Sequence, residues 1–154
     1  MNQAGVLVVG YGNPLRSDDG VGWRAAELLA TDPRLAGARV LARHQLVPEL
    51  AVDVSRASLV VLVDAAADGN PGSISVQRVQ PRQPTSTAWS HHLDPDALGW
   101  LAQALYGAVP PLVLVSVAAG SLAEGDRLSG ALDVALPQVV EAVADVILSS
   151  VARW

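Results

Sequence analysis

The sequence predicts a single-domain, three-layer α/β/α sandwich around a mostly parallel, twisted sheet of about five strands with one antiparallel edge strand. Short, unbroken aliphatic runs are typical of strands that are covered on both faces. Segments with helical spacing separate these runs, so strand and helix alternate along the chain. The length of 154 residues suits one such unit, and we expect residues 1–154 to form one domain.

The first unit is a strand, a glycine-rich loop and a helix. The strand covers residues 6–9 and is expected to end at Gly10, where glycines and an Asn-Pro pair indicate a turn. Asp18 or Asp19 is expected to cap the following helix, whose apolar positions continue to Leu29. Ligand sites of open α/β sheets lie beyond the carboxyl ends of the strands, so this loop is a candidate site.

The remaining elements follow from the same signals. Further strands are predicted over residues 39–43, 58–64, 73–79 and 112–118, with 73–79 at the antiparallel edge. Helices are predicted over about 48–57, 95–106 and 131–154. Asp94 is a good N-cap before Pro95, and Pro137 either begins the last helix or kinks it.

The composition excludes several classes of protein. Hydrophobic residues make up 51% of the chain and charged residues 16%, which indicates a packed globule. Without cysteine there is no disulfide, thiolate ligand or cysteine nucleophile. All ten basic residues are arginine and the net charge is −5, so nucleic acid is an unsuitable partner. No apolar run reaches the ~18 residues of a membrane span, and we expect a cytoplasmic monomer.

Three chemically useful segments occupy loops that the fold can bring together. They contain Asp19 after the first strand, Asp64 at the end of strand 58–64, and either His91 or His92 before the helix at 95–106. Two carboxylates and an imidazole suit a divalent transition metal and leave coordination positions open. Strand-end aspartates and loop histidines also occur without such a role, and the residues alone leave both interpretations open.

The loop carries a more specific signal than its glycines. Residues 10–22 read G-Y-G-N-P-L-R-S-D-D-G-V-G, which resembles the opening motif of the NiFe-hydrogenase maturation endopeptidases, G-x-G-N-x-L-x-x-D-D/E-x-x-G. The resemblance implies that Asp19, Asp64 and His91 contact a metal, with His92 as the alternative histidine. It assigns catalysis to the same three residues.

The resemblance also implies an activity. The protein is expected to remove the C-terminal extension of a NiFe-hydrogenase large-subunit precursor once nickel has been inserted. The nickel is carried by the substrate, and no tightly bound metal is expected in the isolated protein. Asn13, His44 and Gln45 are candidate substrate-recognition residues. His44 begins the sequence H-Q-L-V-P-E-L, which looks like the branch serving bidirectional, NAD-reducing hydrogenases.

Other functions remain as alternatives. A nickel-dependent chaperone that recognises the large subunit without cutting it would use the same three ligands. A nucleotide site requires G-x-G-x-x-G, but Leu15 replaces the third glycine and two acids stand at the expected helix start. The chain contains neither an H-E-x-x-H helix nor a G-x-S-x-G elbow, so other protease mechanisms are disfavoured.

Overall fold

The computed structural model describes residues 3–84 and 93–150. Its strands are β1 (Val6–Tyr11), β2 (Arg39–Arg43), β3 (Leu59–Ala66), β4 (Ile74–Val79) and β5 (Leu112–Ala118). Its α-helices are α1 (Val21–Ala30), α2 (Ala51–Arg56), α3 (Pro95–Tyr106) and α4 (Gly130–Ser150). Short 3-10 helices at Ser17–Gly20 and Pro48–Leu50 precede α1 and α2. None of the helices within these ranges has both the length and the apolar character needed to cross a membrane.

The strands form one sheet in the order β2-β1-β3-β5-β4. The first four strands in this order are parallel, and β4 pairs antiparallel with β5 at one edge. The predicted fold class is therefore confirmed. Because the central strands run in the same direction, the loops that follow β1, β2 and β3 all emerge at the carboxyl ends of the strands.

Alternating side chains of the central strands pack into two cores, one on each face of the sheet. Val8 of β1 and Val61 of β3 face α1 and α4, where they meet buried residues such as Leu29 and Val143. The neighbouring positions, such as Leu62, face α2 and α3. Both faces of β1, β3 and β5 are thus covered, which explains their unbroken apolar sequences.

Gly10 lies inside β1 and does not end it. It pairs with Ala42 of β2 and Val63 of β3, and the strand continues to Tyr11. A Cβ atom at Gly10 would overlap the carbonyl oxygen of Gly22, at the start of α1. The expected strand end at Gly10 is wrong because this glycine brings the helix backbone close to the strand without leaving the sheet ladder.

The start of α1 also differs from the prediction. Gly20 occupies the N-cap position, and neither Asp18 nor Asp19 caps the helix, because both carboxylates accept hydrogen bonds from loop groups. Asp94 does occupy the N-cap position of α3, but within the described part of the chain its side chain makes no capping hydrogen bond.

One further boundary differs from the sequence-based expectation. Strand β3 continues beyond Asp64 to Ala66, because β5 pairs with it along this extension. Helix α4 begins at Gly130, so Pro137 lies inside the helix and does not begin it. Its first turns are anchored by the buried side chains of Leu132 and Ala135, whose burial offsets the hydrogen bond that proline cannot donate.

Candidate functional site

A cleft of about 200 Å³ lies at the carboxyl ends of the parallel strands. Its walls come from the loops after β1 and β2, the end of β3 and the start of α3. Asp19, Asp64, His44 and Gln45 all line it. Four of the residues singled out from the sequence therefore share one cavity.

Asp19 is held by the glycine-rich loop itself. The backbone N–H of Asn13 donates a hydrogen bond to Asp19 Oδ2 at 2.8 Å, and the side-chain oxygen of Asn13 accepts one from the N–H of Leu15. Gly12 has φ of +139°, and a Cβ atom there would overlap the carbonyl oxygen of Asp19. Glycine is thus required at this position both for its backbone conformation and for the close approach of Asp19.

Asp18 is buried, whereas its neighbour Asp19 is partly exposed. Asp18 is 0% exposed and accepts four hydrogen bonds, from the N–H groups of Gly120, Ser121 and Ser129 and from the hydroxyl group of Ser129, at 2.7–2.8 Å. Burial raises its pKa, but these hydrogen bonds outweigh burial and lower the pKa below the ordinary value. Asp18 therefore fastens the loop between β5 and α4, and only Asp19 of the pair faces the cleft.

The turn that leads into the two acids is at Ser17. This residue has φ of +51°, in the left-handed region, and is the only non-glycine residue with positive φ in the described ranges. Its N–H donates to the carbonyl oxygen of Gly125 and its hydroxyl to that of Ala123, at 2.9 and 2.8 Å. These contacts hold a conformation that is otherwise unfavourable.

Asp64 lies beside Tyr11 on one face of the sheet. Val9 is paired with Leu62 and Gly10 with Val63, so the next residues along the two strands, Tyr11 and Asp64, are neighbours. The Tyr11 hydroxyl donates a hydrogen bond to the Asp64 carboxylate, and the N–H of Ala65 donates another to Asp64 Oδ1 at 2.7 Å. Both side chains line the cleft.

Burial is the main influence on the pKa of Asp64 and raises it to about 6, although the hydrogen bonds from Ala65 and Tyr11 act in the opposite direction. The negative charge of nearby Asp19 raises the pKa further. The pKa of Tyr11 is also raised far above its ordinary value, first by burial and then by the charge of Asp64. The cleft therefore concentrates negative charge that a cation would neutralise.

The loop after β2 contributes His44 and Gln45. The imidazole of His44 lies against the indole of Trp23 in α1, with ring centroids 4.9 Å apart and a tilt of 56°. The following Leu46 is buried, and its carbonyl oxygen accepts a hydrogen bond from the N–H of Leu93 at 3.0 Å. This bond ties the start of the α3 segment to the loop that carries His44.

The structure brings Asp19, Asp64, His44 and Gln45 together, but their roles stay predictions. Asn13 supports Asp19, and its part in substrate recognition is likewise a prediction. His91 and His92 lie outside the described residues. Within residues 3–84 and 93–150, no three His, Asp or Glu side chains are arranged to hold a metal ion.

Tyr11 is not among the site residues that the sequence predicts, and Asp94 is predicted only as a helix cap. Both line the cleft. Tyr11 could have been found from the alternation of Leu7, Val9 and Tyr11, had the strand been continued through Gly10.

Solved structures with the same fold cover nearly the whole chain. A hydrogenase 2 maturation peptidase from a Thaumarchaeota archaeon is 23% identical with a TM-score of 0.70, over 92% of this chain and 97% of its own. The hydrogenase-maturating endopeptidase HybD from E. coli is 21% identical with a TM-score of 0.70, over 97% and 94%. An endopeptidase from Escherichia coli solved in solution is 23% identical with a TM-score of 0.73, over 99% and 94%.

At these identities, the likeness establishes a shared fold. No protein-family model matches this sequence, and neither does any curated protein.

Proposed function

We propose that this protein is an endopeptidase that removes a C-terminal extension from a NiFe-hydrogenase large-subunit precursor after nickel has been inserted. One observation carries the proposal. Asp19, from the opening motif, and Asp64, from the end of the strand predicted at 58–64, face the same cleft in a chain that shares its fold with hydrogenase maturation peptidases. The resemblance of the opening motif and the geometry of the cleft thus support the same function.

The charge of the cleft suits a substrate that carries a cation. Asp19 and Asp64 are close enough for the charge of one to raise the pKa of the other. Nickel held by the precursor would relieve this repulsion, so a precursor with nickel would bind better than one without it. The nickel would also polarise nearby groups of the precursor.

A carboxylate of the pair can then act as a general base towards the water that attacks the scissile carbonyl group. Asp64, with its pKa raised to about 6, is suited to this role near neutral pH. The water transfers its proton to the carboxylate as its oxygen bonds to the carbonyl carbon, and the proton then passes to the departing amine. The peptide bond breaks with no other reactant than water.

The third contact to the nickel is assigned to His91, with His92 as the alternative. This assignment rests on the motif resemblance and on sequence position. Leu93 follows both histidines, is buried and lines the cleft, and its N–H is bonded to Leu46.

We further infer that the substrate belongs to the bidirectional, NAD-reducing branch of hydrogenases. The support is the H-Q-L-V-P-E-L sequence. Its leucines Leu46 and Leu50 are buried in the core, whereas His44 and Gln45 line the cleft. The first two residues of this segment are therefore the ones that can contact a substrate.

The decisive experiment incubates the purified protein with a nickel-loaded large-subunit precursor and measures the precursor's mass. We expect loss of a C-terminal peptide with wild-type protein, and a decrease in rate of at least about 100-fold with Asp19→Asn or Asp64→Asn, because each removes a charge and a base. Precursor without nickel should remain uncut. Asp145→Asn, an exposed change on α4, is the matched control and should process at the wild-type rate.

Two results would overturn the proposal. Stable binding of nickel-loaded precursor without cleavage would replace the endopeptidase by the nickel-dependent chaperone. Full activity in both aspartate variants would remove the cleft from the reaction. To test the branch, precursors of bidirectional and other NiFe hydrogenases are compared, and equal rates would contradict the finer assignment.

A further inference from the structure

Tyr11 is the one tyrosine of the described residues that contacts an acid in the cleft. Its ring packs in the core on the α2 and α3 side of the sheet, with the residue only 9% exposed, while its hydroxyl reaches the Asp64 carboxylate. The ring is thus fixed by packing, and the hydroxyl has a defined position. The chain's other tyrosine, Tyr106, lies exposed at the end of α3.

Asp64 is constrained by two donors. The N–H of Ala65 engages Oδ1 and the Tyr11 hydroxyl provides the second hydrogen bond. An ionised carboxylate has about four lone-pair positions, so two remain for the cleft. A carboxylate held in this way cannot rotate freely, and its remaining lone pairs point in fixed directions.

We propose that Tyr11 is a positioning residue, whose hydroxyl holds the Asp64 carboxylate in the orientation in which it meets a divalent cation in the cleft. The inference rests on the proposed function, in which that cation is the nickel of the precursor. Partners that orient a metal-binding side chain typically change metal affinity by about 10–100-fold when they are removed. The second donor to Asp64 is the backbone N–H of Ala65, which already engages Oδ1.

The test compares Tyr11→Phe with Tyr106→Phe, which removes the same hydroxyl from an exposed position. Cd²⁺ affinity is measured by calorimetry on the full chain, together with KM and kcat for nickel-loaded precursor. We expect Tyr11→Phe to weaken Cd²⁺ binding by about 10–100-fold and to raise KM more than it lowers kcat, because recognition of the cation is what is lost. Tyr106→Phe should change neither quantity.

A second measurement keeps the test valid if Tyr11→Phe folds poorly. Wild-type protein with isotope-labelled tyrosine rings gives two sets of ring signals in NMR spectra, which Tyr106→Phe assigns. Saturating Cd²⁺ should shift the Tyr11 signals and leave those of Tyr106 in place.

The outcomes separate this inference from the proposed function. Unchanged Cd²⁺ affinity in folded Tyr11→Phe, or Tyr11 signals that stay in place while Cd²⁺ binds, would overturn the role of Tyr11 even if the wild-type protein cuts its precursor. Wild-type protein that neither binds Cd²⁺ nor cuts the precursor would overturn the proposed function, and this inference with it.

Discussion

Asp18 is bonded to residues that follow it by 102 to 111 positions in the chain. Its partners all lie in the loop between β5 and α4, so a single carboxylate joins the first loop of the fold to the last. Hydrogen bonds to a charged group contribute about 1.5–3 kcal/mol each, and their loss leaves buried donors without acceptors. We therefore infer that Asp18 stabilises the contact between these two loops.

We expect Asp18→Asn to lower the free energy of unfolding by about 3 kcal/mol, because an amide NH2 would face N–H donors. Urea denaturation near neutral pH measures this change. The pKa of Asp18 is lowered in the folded state, so its contribution is present above the ordinary pKa of 3.8 and is lost as the pH falls through the folded pKa. The difference from wild type should accordingly shrink in acid. A loss below about 1 kcal/mol near neutral pH would contradict the role of Asp18.

Asp64→Asn should have the opposite effect on stability. The folded pKa of about 6 lies above the ordinary 3.8, so the folded state holds its proton more tightly and wild-type stability falls as the pH rises from 3.8 to 6. We expect the variant to be about 1–3 kcal/mol more stable than wild type near pH 8, and the gain to vanish below about pH 4. Urea denaturation across this range provides the check. A variant less stable than wild type at about pH 8 would show that Asp64 is a structural residue.

The sequence singles out Asp18 and Asp19 as two adjacent acids of the first loop, but it could not assign their surroundings. Asp18 and Asp19 are adjacent and chemically identical, and each is equally suitable as a helix cap by local rules. What distinguishes them is a loop more than a hundred residues away, which donates hydrogen bonds to the carboxylate of Asp18. Local sequence does not contain this information.

At the scale of elements, the contact between β1 and α1 depends on two glycines. Gly10 in the strand and Gly22 in the helix face each other, and a Cβ atom on Gly22 would overlap the carbonyl oxygens of Val63 and Tyr11. These two glycines of the motif are therefore required for packing, because they let α1 lie close to the sheet. The loop between β1 and α1 then places Asp19 in the cleft.

Gly10→Ala should therefore destabilise the protein strongly. Its added methyl group would collide with backbone as well as with Ala26, and we expect a loss of about 3 kcal/mol or more. Gly130→Ala is the control, since no atom lies within 4 Å of the added Cβ, and its effect should stay within about 0.5 kcal/mol. Thermal unfolding of both variants compares them, and similar melting temperatures would contradict this account.

Elements were predictable where local signals and tertiary packing agree. The boundaries of β5 match the prediction because Pro110 and Pro111 precede an aliphatic run, interrupted by Ser116, that is covered on both faces. The predictions were wrong where tertiary contacts oppose a local rule. Gly10 remains in a strand because neighbouring strands pair with it, and β3 continues past Asp64 because β5 pairs with the extension.

At the scale of the whole molecule, burial is concentrated in the middle of the sheet. Every residue of β1 is buried, and so are the first five residues of β3. The two outer strands, β2 and β4, are partly or fully exposed along their length. Local stability follows the density of buried apolar contacts, so the centre should open only with global unfolding.

Native-state hydrogen exchange can test this gradient. We expect the amides of β1 and β3 to exchange with the free energy of global unfolding, and those of β4 to exchange through smaller openings. Exchange measured by NMR at several low urea concentrations distinguishes the two classes. Equal protection of β4 and β3 would contradict the gradient.

The order of the strands was not predictable from the sequence, although their number and the antiparallel edge were. Alternation of strands and helices fixes neither which strands are neighbours nor which side of the sheet each helix covers. That order is what places the ends of β1 and β3 side by side and creates the contact between Tyr11 and Asp64.

The exposed outer strands also affect how the molecule behaves at high concentration. β2 begins and ends with exposed arginines, Arg39 and Arg43, and β4 carries Arg78 among its exposed residues. A second molecule that extended the sheet at either side would have to align its own strand along these guanidinium groups and desolvate them. Charged side chains on outer strands oppose such pairing, and this disfavours growth of the sheet into aggregates.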